Sequence, residues 1–175
     1  MPENRNHGIH LVALQGSVRP GNNTAKALAL VADEIQKHPG ISLEIVDPTT
    51  MHLPLPGQGT SEDAKRMQQL VAVADGIILA TPEYHGSYSS VMKLLIDNLG
   101  FPSALSGKPV ALLGVAAGRI GAIKALDTCV ASPPTSAPRC CQGPSRWQAY
   151  GRSSMEKDGC WTKTLPPWSV AWRPP

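Results

Sequence analysis

Two segments carry residues suited to chemistry, Gly16-Ser17-Val18-Arg19-Pro20-Gly21-Asn22-Asn23-Thr24 and Thr81-Pro82-Glu83-Tyr84-His85-Gly86-Ser87, and each directly follows an apolar run. The first is a Gly-Ser turn that opens a helical pattern. Such a turn presents free backbone N–H groups and the positive end of the helix dipole to an anion. Arg19 adds a charge-assisted donor, and Ser17, Asn22, Asn23 and Thr24 add neutral polar side chains. That chemistry suits a phosphate dianion. The Lys of Gly-x-x-x-x-Gly-Lys-Ser/Thr is missing and so is Gly-x-Gly-x-x-Gly, which disfavours a nucleoside triphosphate and a dinucleotide fingerprint. Taken alone, the segment reads equally as Gly16 and Asn22 turning and capping a helix.

The second segment shifts that balance. Pro82 fixes one backbone torsion and Gly86 relaxes another, so Glu83, Tyr84, His85 and Gly86 can run along the edge of a planar ligand with backbone groups facing it. An isoalloxazine ring needs such a rim. A third small-residue loop, Ala116-Ala117-Gly118-Arg119-Ile120-Gly121, allows close approach from another side. A phosphate cradle and a planar-ring rim together describe a site for flavin mononucleotide (FMN). No side chain is assigned as catalytic: Tyr84 and His85 are each equally a pocket wall or a surface residue.

These loops need strands and helices to hold them. Ile9 to Leu14 is a mostly apolar run, as expected of a central strand covered on both faces. Ala25, Leu28, Ala29, Ala32 and Ile35 recur at helical spacing over 23–38, and Pro39-Gly40 ends the pattern. Ile41 to Val46 alternates as a second strand, a Pro/Gly-rich loop spans 47–60, and Ser61 followed by Glu62 and Asp63 caps a helix through about Ala74. Gly76 to Ala80 reads as the third strand, Ser89 to Leu99 as the third helix and Pro109 to Val115 as the fourth strand, with a fourth helix from about Ile120. Alternating strands and helices with short links predict a doubly wound α/β fold with a parallel sheet and right-handed crossovers. Ligands of such sheets bind beyond the carboxyl ends of the strands, where both segments fall.

Composition narrows the function classes. A chain of 175 residues fits one domain with a single core. No apolar run approaches the ~18 residues of a membrane span, and Met1 to His7 is polar, so the expectation is a cytoplasmic protein without a membrane partner. Residues 1–128 carry 10 Lys/Arg and 11 Asp/Glu whereas 129–175 carry 6 and 2, so the basic excess lies in the tail and nucleic acid is not expected as a partner. His7, His10, His38, His52 and His85 show no metal-ligand spacing, Cys129, Cys140, Cys141 and Cys160 form no Cys-x-x-Cys, and Gly-x-Ser-x-Gly is absent.

Over roughly residues 8–128 the chain resembles the NADPH-dependent FMN reductases of flavodoxin-like fold, which include flavin, quinone, azo-dye and chromate reductases. The likeness rests on Gly16-Ser17-x-Arg19 with Asn22 and Thr24, on Pro82-Glu83-Tyr84-x-Gly86-Ser87 followed by Lys93 and Asp97, and on Gly118-Arg119-x-Gly121. The family's Lys-Asn pair stands here as Lys93-Leu94. The resemblance implies hydride transfer from NADPH to FMN and onward to a small-molecule electron acceptor. It places Ser17, Arg19, Asn22, Asn23 and Thr24 at the phosphate, and Pro82, Glu83, Tyr84, His85, Gly86, Gly118 and Arg119 around the ring. It also implies a homodimer built on the helix after the second segment.

The chain divides into a short amino terminus over 1–7, expected to be disordered, the flavodoxin-like unit over 8–128, and a tail over 129–175. All four Trp, all four Cys and eight of the seventeen Pro lie in that tail. A fifth strand and fifth helix, which would complete the sheet's carboxyl-terminal edge, are missing from the pattern. Read one base out of register with free third bases, the codons from Asp127 to Arg146 can encode an amphipathic helix end and then an apolar strand. The tail therefore reads as frameshifted and disordered, against the alternative of a divergent Pro-rich tail. Two further readings follow: a nonfunctional or weakly folded product of a disrupted reductase gene, and a flavodoxin-like electron carrier, which would ordinarily be strongly acidic.

Overall fold

The computed structural model describes residues 8–131. Strand β1 (Ile9–Gln15) leads to helix α1 (Asn23–Ile35), β2 (Ile41–Val46), a 3-10 turn (Pro48–Thr50) and α2 (Glu62–Val73). Then come β3 (Gly76–Tyr84), the two-residue β4 (Ser87–Tyr88), α3 (Ser90–Asp97), β5 (Val110–Val115) and α4 (Ile123–Ala131). Four strands are parallel in the order β2-β1-β3-β5, with Leu14 beside Val46 on one side and Leu79 on the other. The doubly wound parallel sheet expected from the alternation is present.

Burial on both faces explains why the strands read as continuous apolar runs. Along β1, Val12 and Leu14 point to one face and Ala13 to the other, and all three are fully buried. The first face packs on Met67 and Val71 of α2 and on Met92 and Leu95 of α3. The opposite face, with Ala13, Ile78, Ala80 and Leu113, packs on Leu28, Ala27, Val31 and Ile35 of α1. Helix α4 lies against β5 at Gly114, where an added Cβ would come 2.6 Å from the Ala122 Cβ and 3.0 Å from Leu126. Only glycine admits the helix that closely.

Three boundaries differ from the sequence expectation by three residues or more. Strand β3 does not stop at Ala80 but runs through Tyr84, folds over His85 and Gly86, and returns as β4 with Glu83 opposite Tyr88 and Tyr84 opposite Ser87. The second segment is thus a hairpin rather than an open loop. Helix α4 starts at Ile123, not Ile120, because Gly121 takes a left-handed φ of 74° and its N–H turns back to the Gly118 carbonyl. Helix α1 ends at Ile35, where the His38 N–H closes a tight turn on the Ile35 carbonyl. The expectations for residues 1–7 and for the tail beyond 131 lie outside the described residues.

Candidate functional site

The sheet changes direction between β1 and β3. β1 connects to β2 on one side, and β2 then crosses back to β3 on the other, which opens a crevice at the carboxyl ends of β1 and β3. Gly16 to Asn22 leaves β1 into that crevice, and Thr81 to Tyr88 occupies the end of β3 beside it. The two segments singled out in the sequence are therefore neighbours.

Gly16 fixes the start of the first segment. Its N–H donates to the Ala80 carbonyl at 2.7 Å, and a Cβ there would lie 2.8 Å from that oxygen and about as close to Met92. Its own carbonyl accepts from the Ser89 hydroxyl at 2.5 Å, while the same hydroxyl caps α3 by accepting from the Met92 N–H. One serine thus ties the first loop to the helix after the hairpin. Gln15 holds the loop from the other side, its amide donating to the Ser17 carbonyl and to the Asp47 carboxylate, both at 3.1 Å.

Within the loop the donors fall into two groups. The Asn22 side chain makes two bonds within the loop: Oδ1 accepts from the Ala25 N–H at 2.7 Å as the N-cap of α1, and one N–H of Nδ2 donates to the Arg19 carbonyl at 2.8 Å. Asn22 therefore shapes the loop, and its second Nδ2 N–H has no partner among the described residues. Ser17 and Thr24 are 3% and 1% exposed, and their hydroxyls have no partner among the described residues. The backbone N–H groups of Ser17, Val18, Arg19, Gly21, Asn23 and Thr24 are also unpaired among those residues. Val18, Arg19, Gly21 and Asn23 are exposed, so their N–H groups are open to a ligand, and a cluster of such donors at the start of a helix suits an anion. The Arg19 and Asn23 side chains are exposed at its mouth.

The hairpin builds the other wall. His85 and Gly86 have φ values of 52° and 75°, the pair of left-handed residues that a two-residue hairpin turn needs. Thr81 is fully buried and its hydroxyl orders the base of the hairpin, accepting from the Ser89 N–H at 3.1 Å and donating to the Pro82 carbonyl at 3.0 Å. Pro82 is buried beside Val115 of β5, Glu83 is half-buried, and Tyr84 and His85 are exposed. The Glu83 carboxylate accepts from the Ala125 N–H of α4 at 3.1 Å. Gly118 and Arg119 stand beyond β5, one strand further from the first loop, and both are exposed. The pairing of β3 with β1 and β5 thus puts the segment that follows Gln15 on one side of the end of β3 and the segment that leads to 118–119 on the other.

Sequence reasoning missed Gln15, Asp47, Thr81 and Ser89 as holders of these loops. Their signal was a polar residue at the end of an apolar run or beside one, a position that favours a hydrogen bond to a neighbouring segment.

A family model for NADPH-dependent FMN reductase matches residues 9–130. The chain is 36% identical over 128 residues to an NADPH azoreductase from a Bacillus species, covering 71% of this chain and 68% of that protein. It is 33% identical over 124 residues to an NAD(P)H-dependent FMN reductase of Pseudomonas aeruginosa, covering 67% of this chain and 65% of the relative. The chain thus spans about two thirds of the length of these relatives. Among solved structures, the apo form of an NADH:FMN oxidoreductase superposes with a TM-score of 0.60 at 25% identity, covering 69% of this chain and 64% of that one. With the doubly wound sheet, the crevice between β1 and β3 and these likenesses in place, the chain belongs to the NADPH-dependent FMN reductase family, oxidoreductases of flavodoxin-like fold whose cofactors are FMN and NADPH.

Proposed function

We propose that this chain is an FMN-dependent NAD(P)H oxidoreductase that takes hydride from NADPH and passes the electrons to a flavin, a quinone or a similar small acceptor. The observation that carries this reading is the set of unpaired donors at 17–24 beside the hairpin rim. The residues fit the cofactor: six backbone N–H groups and the hydroxyls of Ser17 and Thr24 match the acceptor-rich terminal phosphate, and Arg19 adds a positive charge. Asn22 and Asn23 shape and flank that cradle. Pro82, Glu83, Tyr84, His85 and Gly86 border the ring, mainly through backbone, and Gly118 and Arg119 close the outer side.

When bound, FMN supplies the hydride-accepting and electron-releasing chemistry. The chain's residues bind, orient and exclude water. Buried Pro82, Thr81 and Ser89 hold the rim rigid, and the network of Gln15 and Asp47 holds the phosphate loop. No side chain is required to move a proton for the hydride step.

The same reading includes a homodimer formed through α3, whose outer surface carries the Lys93–Asp97 ion pair, and a cytoplasmic location. It also takes the tail after Asp127 as translated out of register. The relatives' names cover azo compounds, FMN and 2-hydroxy-1,4-benzoquinone as their substrates, which supports a planar conjugated acceptor here.

The test is a titration of the purified chain with FMN followed by fluorescence quenching, then anaerobic addition of NADPH while the flavin absorbance is watched. Saturable quenching and bleaching are expected. An absence of both in a cooperatively folded chain overturns the reading, and binding without bleaching by either NADPH or NADH reassigns it to an electron carrier.

A further inference from the structure

Helix α4 lacks a side-chain cap of its own. The Leu126 N–H donates to the Ala122 carbonyl at 3.0 Å, which makes Ala122 the N-cap, and alanine has no oxygen to offer the first turn. The missing acceptor arrives from 42 residues away, where the Glu83 carboxylate accepts from the Ala125 N–H at 3.1 Å. Glu83 belongs to the β3–β4 hairpin, paired with Tyr88, and faces the positive end of the helix dipole, where a carboxylate is favoured. A second contact lies beside it: a Cβ on Gly86 would be 3.2 Å from the Cδ of Lys124, in the same first turn of α4.

We propose that Glu83 is a positioning residue that clamps the hairpin to the first turn of α4 and so sets the spacing between the hairpin rim and the 116–121 loop. The proposal rests on the FMN reading given above for what that spacing serves. Two facts argue for a clamp over a simple helix cap. The cap is borrowed from the ring-bordering hairpin, although a Ser, Thr, Asn or Asp at 122 would have capped α4 locally. Only the tip of the hairpin is exposed, at Tyr84 and His85, and that tip meets α4 through the Glu83 bond and through Gly86 against Lys124. Strand pairing already joins the base of the hairpin to β5, with Pro82 opposite Val115, so the clamp acts on the part of the hairpin beyond Pro82, where β4 pairs with β3.

The experiment compares the full chain with Glu83→Ala and with Glu83→Ala/Ala122→Ser, which gives α4 a local cap without joining it to the hairpin. Amide hydrogen exchange at Tyr84, Ser87, Tyr88 and Ala125, melting temperature and the Kd for FMN are read for each. In Glu83→Ala, exchange is expected to speed at least ten-fold at Ala125 and through the hairpin, the melting temperature to fall, and the FMN Kd to rise about ten-fold. In the double variant the melting temperature and Ala125 protection are expected to return while the hairpin exchange and the FMN Kd stay raised. Recovery of the hairpin and of FMN affinity in the double variant overturns the clamp in favour of a helix cap, as does unchanged hairpin exchange in Glu83→Ala. If the double variant fails to fold around the tight Gly114 contact, Glu83→Gln, which keeps an acceptor oxygen, is read instead: near wild-type hairpin exchange upholds the clamp and exchange as fast as in Glu83→Ala overturns it. A wild-type chain that binds no FMN sinks the functional reading, and the exchange measurements then decide the clamp alone.

Discussion

Arg19 and Thr24 stand at opposite extremes of exposure within the same loop, and they make different predictions. The Arg19 side chain is exposed and makes no hydrogen bond among the described residues, so its removal costs the free protein little. A hydrogen bond to a charged partner is worth ~1.5–3 kcal/mol, reduced where solvent screens it. Arg19→Ala is therefore expected to raise the FMN Kd about ten-fold, since ~1.4 kcal/mol is one decade, with the melting temperature within a degree of wild type. Isothermal titration and a thermal melt check both halves. Thr24 is 1% exposed and its hydroxyl makes no hydrogen bond among the described residues, so Thr24→Val, which keeps the shape, costs the free protein little. The free protein should be about equally stable while FMN binding weakens several-fold. A variant that loses stability without FMN would show that the hydroxyl serves the fold and not the phosphate.

At the scale of elements, the hairpin is where the sequence was least legible. β1 and β3 declare themselves because both of their faces are buried, which leaves runs such as Leu11-Val12-Ala13-Leu14 without polar interruption, whereas β2 shows itself by alternation. Thr81 to Tyr88 carries no such run, and a pairing of two residues on each side leaves no periodic trace. The Pro82 and Gly86 signals pointed to a turn, yet the hairpin also needs a positive φ at His85, a conformation uncommon outside Gly although Asn, Asp and His adopt it more often than other residues. That strain is testable. Asn-Gly is the favoured pair for such a turn, so His85→Asn is expected to stabilise the chain by a few tenths of a kcal/mol and raise its melting temperature by about 1–2 °C, measured by circular dichroism. The site showed the same division. Donors near a turn could be read from residue types, but the commitment of both ends of Asn22 to the backbone and the reach of Glu83 to Ala125 depend on contacts that the order of residues does not encode.

At the scale of the whole molecule, the two faces of the sheet are covered unequally among the described residues. Helices α2, α3 and α4 pack on one face and α1 alone on the other, and β5 has a strand partner only on the side of β3. Ile45 of β2 and Leu30 of α1 are 40% and 64% exposed, and Ala111 of β5 is exposed as well. A further strand and helix in register would bury side chains worth ~1.5–3 kcal/mol each, against a typical total stability of only ~5–15 kcal/mol. They would also pair the edge of β5 that otherwise invites edge-to-edge association. If the codons after Asp127 are out of register, a chain built with the register restored should melt at least 10 °C higher, stay monodisperse or dimeric on size exclusion where the present chain is expected to aggregate, and bind FMN more tightly. An equal melting temperature and equal FMN affinity in the two chains would show that the existing sequence after Asp127 already supports the fold, and the out-of-register reading would then fall.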